Sequence, residues 1–326
     1  MHTALVKKDC WNEGFILSMY QKYQALLPLK ERGHFFIRAY KVTGNPAYKE
    51  VIAQYMFQSK PRFHETLRAL EMRQWNKAQT SGIHYGYRAR QRLDLYQKHP
   101  QLPLINRLLF DLFLTKKFNL HTQDFKQYFD TSIQRIKKEN LGSLLLRKDS
   151  LLKGGSFTIN SLFILAYLDI DATQAQATKR VKDLFLNKNL VLTRELSRAQ
   201  FRSFLYILTH IIINASCFYE HYVEGYAWIT DYFAITIDRI LAQATDDILA
   251  EIALSIKLCK KSDVYGEALS LLVTELEKRF APACFSQPEF LIKKEHTNSM
   301  LLLLLSGQKE FFSGPDLSSI LIERTD

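Results

Sequence analysis

The sequence predicts an all-α fold of helical hairpins, closed as a double-layered α/α toroid or left open as an α-solenoid. Three observations predict it. Hydrophobic residues make up 47% of the 326 positions, enough for a large core in a single helical domain over 1–326. Only 12 glycines and 8 prolines punctuate the chain, too few for the dense turns of an all-β fold. Apolar residues recur at helical spacing in segment after segment.

The first hairpin lies at Arg38–Gln58, RAYKVTGNPAYKEVIAQYMFQ. Gly44 suits a left-handed helix end. Asn45 suits an N-cap, and Pro46 then falls at the first helical position, where its missing N–H costs nothing. Val51, Ile52, Tyr55 and Met56 form the buried face of the second helix. Further helices are expected over Phe63–Lys77, Tyr85–Gln97, Leu104–Lys117 and Phe125–Lys138. The plan then repeats. Leu162–Leu168 is almost wholly apolar, Asp169–Thr173 breaks it, and Gln174–Leu186 is amphipathic. Phe201–Ser216 pairs with Trp228–Gln243, and Ile248–Leu258 with Tyr265–Arg279. Asn298–Leu305 closes the series before Gly307. One helix of each pair is apolar nearly all round and so buried; its partner is one-sided and faces solvent. Two layers follow from that alternation. The irregular repeat lengths favour the closed ring over the solenoid.

The phrase R-A-Y-x-x-T-G-N-P-x-Y resembles the inner-to-outer turn of α/α-toroid proteins, the group of six-hairpin glycosidases, terpenoid cyclases, prenyltransferases and lanthionine cyclases. Tyr206-x-x-Thr209-His210, Asp247-x-x-Ala250-Glu251-Ile252 and Glu295-His296-x-Asn298 are similar to an uncharacterised bacterial family of that architecture. The resemblance implies a toroid with a central cavity and does not choose among the chemistries that the fold carries.

Charge is uneven. Residues 1–150 hold 26 Lys/Arg and 12 Asp/Glu, net +14; residues 151–326 hold 18 and 21, net −3. The basic half suits an acidic protein or an RNA, with scattered solvated charge as the plain alternative. Within it, His34 and Arg38 stand at i, i+4, and His84, Arg88 and Arg92 share another face, with Tyr85 and Tyr87 interleaved. Cysteines stand at 10, 217, 259 and 284, with no CxxC pattern, which points to reduced thiols and a cytoplasmic setting. The first residues lack the basic-then-apolar layout of a signal peptide, and the longest apolar runs are too short to cross a bilayer.

Candidate chemistry gathers in three places. On the helix after Leu196, opened by a Ser197/Gln200 capping box, Ser203, Tyr206, His210, Asn214 and Cys217 form a polar stripe among Phe, Leu and Ile. Such a stripe lines a cavity or knits the inner helices by hydrogen bonds. In the second place, Asp247 and Glu251 share a face at i, i+4, suited to a hard cation or to acid–base work, unless Asp246 or Asp247 simply caps the helix. In the third, His296 and Asn298 stand at the mouth of the last apolar helix, at the same end as Asp247 because both begin inner helices. Thr297 or Asn298 as a cap is the structural alternative. There is no GxGxxG, Walker, HExxH or GxSxG motif, which argues against a Rossmann oxidoreductase, a P-loop enzyme, a zincin and an α/β-hydrolase.

The expectation is therefore a cytoplasmic protein that binds a small molecule or peptide in a polar central cavity, with chemical modification of that ligand left open. His210 would be the base or a metal ligand, with Glu251 and Asp247 orienting it or sharing a divalent metal. Tyr206, Asn214, His296, Asn298, Arg38 and Arg88 would hold substrate. The alternative is a non-catalytic scaffold docking an acidic protein or RNA through the basic half.

Overall fold

The structure is a computed structural model, and it describes residues 12–73, 87–122, 125–185 and 196–322. The described residues form α-helices joined by turns and short 3-10 segments, with no strand among them. The chain divides into two compact units. One comprises residues 1–55 and 215–315; the other comprises 56–214 and 316–326.

The first unit contains α1 (Glu13–Lys22), α2 (Leu29–Thr43) and the opening turns of α3 (Tyr48–Glu71), within which the unit boundary falls. Gly44 ends α2 as the sequence predicts. It sits at φ 63, its N–H bonds Tyr40 O at 2.7 Å, and a Cβ there would meet the Phe312 ring at 2.8 Å. Both backbone conformation and space therefore call for glycine. Asn45 Oδ1 accepts from Ala47 N at 3.0 Å, but Asn45–Tyr48 first make a turn, so α3 begins two residues later than expected. Val51, Ile52, Tyr55 and Met56 are buried, as their spacing predicts. α2 and α3 approach closely because Gly33 has no side chain, and a Cβ would meet Tyr55 at 2.4 Å.

α3 also runs straight through Pro61 to Glu71, where the sequence suggests a fresh helix from Phe63. Proline removes one intrahelical bond, and the apolar series Phe63, Leu67, Leu70, all buried, continues the face that begins at Val51. The expected end at Lys77 lies outside the described residues.

The second unit continues with α4 (Tyr87–Lys98), α5 (Leu102–Lys117), α6 (Lys126–Lys137), α7 (Leu141–Leu145), α8 (Lys148–Gly154), α9 (Ser156–Tyr167), α10 (Gln174–Phe185) and α11 (Arg198–Ala215). α9 packs against α5, α7, α8 and α10, as befits a helix with apolar residues on most sides. Asp169 takes φ 56 at the break after α9, and Lys116 Nζ bonds both Asp169 Oδ2 at 3.0 Å and Tyr167 O at 2.8 Å. α11 opens on the predicted capping box: Ser197 N bonds Gln200 Oε1 at 3.0 Å, and Gln200 N bonds Ser197 Oγ at 3.4 Å.

The chain then returns to the first unit with α12 (Ala227–Ile235), α13 (Ile237–Gln243), α14 (Asp246–Leu258), α15 (Gly266–Arg279), α16 (Pro288–Lys293) and α17 (Glu295–Leu305); α18 (Ser318–Ile322) belongs to the second unit. The sequence suggests one helix over Trp228–Gln243. It divides at Thr236, where the backbone leaves helical values at φ −105 and ψ 17, while the Thr236 N–H and hydroxyl both bond Tyr232 O, at 3.1 and 2.7 Å. α14 buries ten of its residues, whereas α15 buries only Ala268, Leu272 and Leu276. The apolar-inner, one-sided-outer alternation is thus realised in this hairpin. α17 packs on α14, α2, α1 and α16. Its Met300–Leu303 are wholly covered, each side chain contributing about 1.5–3 kcal/mol of burial. No helix among the described residues is long and apolar enough to cross a membrane.

Candidate functional site

In the first unit, three helices bring predicted residues together. α14 and α17 lie side by side in parallel. Residue 247 meets 297 at one end, and Lys257 meets the carbonyls of Leu303, Leu304 and Ser306 at the other, at 2.7, 2.9 and 2.6 Å. Because Asp247 and Glu251 are one turn apart on α14, both face the first turn of α17. His296 Nε2 donates to Glu251 Oε1 at 3.0 Å, and Thr297 Oγ1 donates to Asp247 Oδ1.

The two members of the Glu251–His296 pair are covered very differently. The Glu251 side chain is 1% exposed and that of His296 is 41% exposed. A buried carboxylate needs a compensating cation, and His296, when protonated, supplies one in direct contact. Burial opposes charge on His296, but the hydrogen bond and charge of Glu251 outweigh it and hold the ring's pKa above its ordinary value. Arg38 on α2 works against that rise and Asp247 assists it. One ring nitrogen is therefore oriented by a buried acid while part of the ring stays accessible. This arrangement suits proton transfer or the binding of a polar group.

Arg38 Nη1 donates to His34 O, one turn back, at 2.7 Å. His34 lies between Tyr55, at 2.9 Å from the phenol oxygen, and Glu295, at 3.9 Å. Glu295 also accepts from Ser299 Oγ at 2.7 Å. Asn298, expected to hold substrate, donates from Nδ2 to Tyr20 Oη at 3.0 Å, and Tyr20 donates to Leu291 O at 2.8 Å while stacking on Phe35. Its Oδ1 has no hydrogen-bond partner among the described residues. Neither Thr297 nor Asn298 is the cap, since α17 starts at Glu295. Asp246 is not a cap either. It joins Lys294 at 2.7 Å and Arg279 at 3.1 Å. Burial raises its pKa, but these cations outweigh burial and hold the carboxyl below its usual range.

Two further groups escape the sequence reading. Tyr219 is buried, and burial pushes its phenol pKa up strongly, with Glu251 and Glu295 adding to the rise and Arg38 opposing it. It reaches these charges through a turn in which Cys217, Phe218 and Tyr219 all take left-handed φ values of 52, 55 and 72. Such backbone costs a non-glycine residue about 1–2 kcal/mol, and nothing in the residue types announces it. The turn is held by Ser216, whose Oγ accepts Tyr219 N at 2.9 Å. It is also held by Glu220, which accepts Lys41 Nζ and Gly314 N, each at 3.0 Å. Lys41 is only 2% exposed, and this pairing explains how a lysine survives there.

In the second unit, the predicted stripe on α11 is largely internal. His210 Nδ1 donates to Asn160 Oδ1 at 2.8 Å, and the Tyr206 and His210 rings lie 6.4 Å apart. Ser161 Oγ donates to Asn106 Oδ1 at 2.8 Å on the neighbouring helices. Asn214 is 2% exposed, and neither of its amide atoms has a hydrogen-bond partner among the described residues. Arg92 lies over the Phe157 ring at 5.2 Å. The Arg88 side chain, with His84, Tyr85 and the Tyr87 side chain, lies outside the described residues. Among the described residues no three His, Cys, Asp or Glu side chains converge on a metal position. Glu251 is engaged by His296 and Asp247 by Thr297.

No curated protein matches this sequence. No solved structure matches it either. A family model described as a domain of unknown function, DUF3541, matches residues 12–321, and with nearly the whole chain covered, the protein belongs to that family.

Proposed function

We propose that this protein binds a small molecule or peptide at the Glu251–His296 pair, and that His296 exchanges a proton with it. The observation that carries this reading is the asymmetry of the pair: a carboxylate 1% exposed orients and charges a ring that is 41% exposed. A purely structural pair would have little reason to keep the ring open. We place the protein in a reducing compartment of the cytoplasmic kind, a reading that rests on the spacing of its cysteines at 10, 217, 259 and 284. The toroid with a central polar cavity remains part of the proposal and rests on the hairpin alternation of the sequence.

The test is native mass spectrometry of the full chain purified from its own host, beside His296→Gln. Glutamine keeps hydrogen bonding and cannot take up a proton. The expected result is a bound mass on the wild type that the variant lacks, although the variant's melting curve remains that of a cooperatively folded protein. Identical spectra for the two proteins would sink the reading.

A further inference from the structure

Arg38 carries five N–H donors, and the one hydrogen bond it makes among the described residues goes to a carbonyl of its own helix. No carboxylate among them pairs with it. Arg38 stands on α2 between His34, which lies 3.9 Å from Glu295 beside His296, and Lys41, which bonds Glu220 beside Tyr219 at 3.0 Å, so the three groups share one neighbourhood, and the charge of Arg38 acts on both of the others. Tyr219 is 3% exposed, and its hydroxyl makes no hydrogen bond among the described residues. The ring is covered, but the hydroxyl is not sealed from solvent, so it is placed to meet a ligand, and the left-handed turn delivers it there. The nearby acids are already engaged: Glu251 by His296, Asp247 by Thr297, and Glu295 by Ser299 with His34 alongside.

We propose that Arg38, His296 and Tyr219 form a subsite for an oxyanion, a carboxylate or a phosphate carried by the small ligand. The guanidinium supplies a planar fork matched to such a group. The imidazolium supplies a second charge-assisted donor, and the phenol supplies a neutral one. This inference deepens the proposed function by naming the ligand's chemical class, and it rests on His296 facing the ligand. Binding weakens as pH rises, because His296 loses its proton. The charged groups that face that ring are Glu251 and Asp247 from α14, Arg38 from α2, and its neighbour Glu295.

The test needs no endogenous ligand. The full chain, labelled at arginine and histidine nitrogens, is titrated by NMR with inorganic phosphate and separately with acetate, in acid and in alkaline buffer. The expected result is a saturable shift of the Arg38 Nε and His296 resonances with at least one of the two anions, weaker in alkali. Saturation by one alone fixes the group as phosphate or carboxylate. Arg38→Gln should weaken binding at least tenfold and Tyr219→Phe several-fold, while Lys293→Gln, an exposed charge nearby, leaves it unchanged. Shifts linear in concentration, or lost equally in Lys293→Gln, overturn the subsite. If Arg38→Gln fails to fold, Arg38→Lys and Tyr219→Phe carry the test, and wild-type affinity in both overturns it. Failure here leaves the mass-spectrometric test of the Glu251–His296 pair standing, and failure there leaves a saturable anion site standing.

Discussion

Glu251 and His296 lie 45 positions apart in the chain and 3.0 Å apart in space, joined Oε1 to Nε2 across two parallel helices. The carboxylate is covered and the ring is partly open, so the charge of one controls the protonation of the other. Replacing Glu251 by Gln keeps an acceptor and removes that charge. Burial then prevails, and the pKa of His296 should fall from above its ordinary value to below it. An imidazole NMR titration of the two proteins checks this; an unmoved midpoint would mean that the ring does not sense Glu251.

The same pair sets a pH dependence of stability. A ring whose folded pKa is raised contributes stability that is whole below its unfolded pKa, about 6.5, and is lost as pH climbs through the raised folded value. The melting temperature of wild type should therefore exceed that of Glu251→Gln most in acid, and the gap should close as pH rises. A gap that widens with pH contradicts the assignment.

Lys257 should prove a stability residue. Its ammonium bonds three carbonyls at the end of α17 and the Ser306 hydroxyl. Lys257→Met keeps much of the stem and strands those carbonyls, at a cost of about 2–4 kcal/mol. Chemical denaturation reads it directly. A loss below ~0.5 kcal/mol would show that water replaces the amine.

Asn214 carries the opposite expectation. Its amide is buried with no partner for either atom among the described residues, so Asn214→Leu should stabilise the fold by about 1 kcal/mol. A destabilised variant with normal expression would show that the amide has a partner supplied by ligand or ordered water.

Much of the fold is legible in the residues, because its signals are local. Gly44 ends α2 where an L side chain would be strained, Ser197 and Gln200 cap α11, and the apolar runs of α14 and α17 can only be core. The Asp247/Glu251 face and His296 are legible too, since helical spacing and a shared end suffice to put them together. What fails is whatever depends on distant partners. Asp246 reads as a cap from its neighbours, yet it serves Lys294 and Arg279. The helix over Trp228–Gln243 divides at Thr236, a β-branched residue whose type alone does not announce a break. Tyr219 is invisible as a site residue, because three successive left-handed residues aim it, and no composition predicts those.

The discontinuous make-up of the first unit has a consequence for how the protein is made. Lys41 and Glu220 stand 179 positions apart, so at about 5–20 residues per second α2 leaves the ribosome roughly 10–40 s before its partner turn exists. Throughout that interval Phe35, Phe36 and Val42, destined for the interior, have neither α14 nor α17 to cover them. Residues 56–214, most of the second unit, are synthesised meanwhile. The nascent chain therefore carries an uncovered apolar helix until α14 and α17 have been made, an interval in which shielding of that helix guards against misassembly.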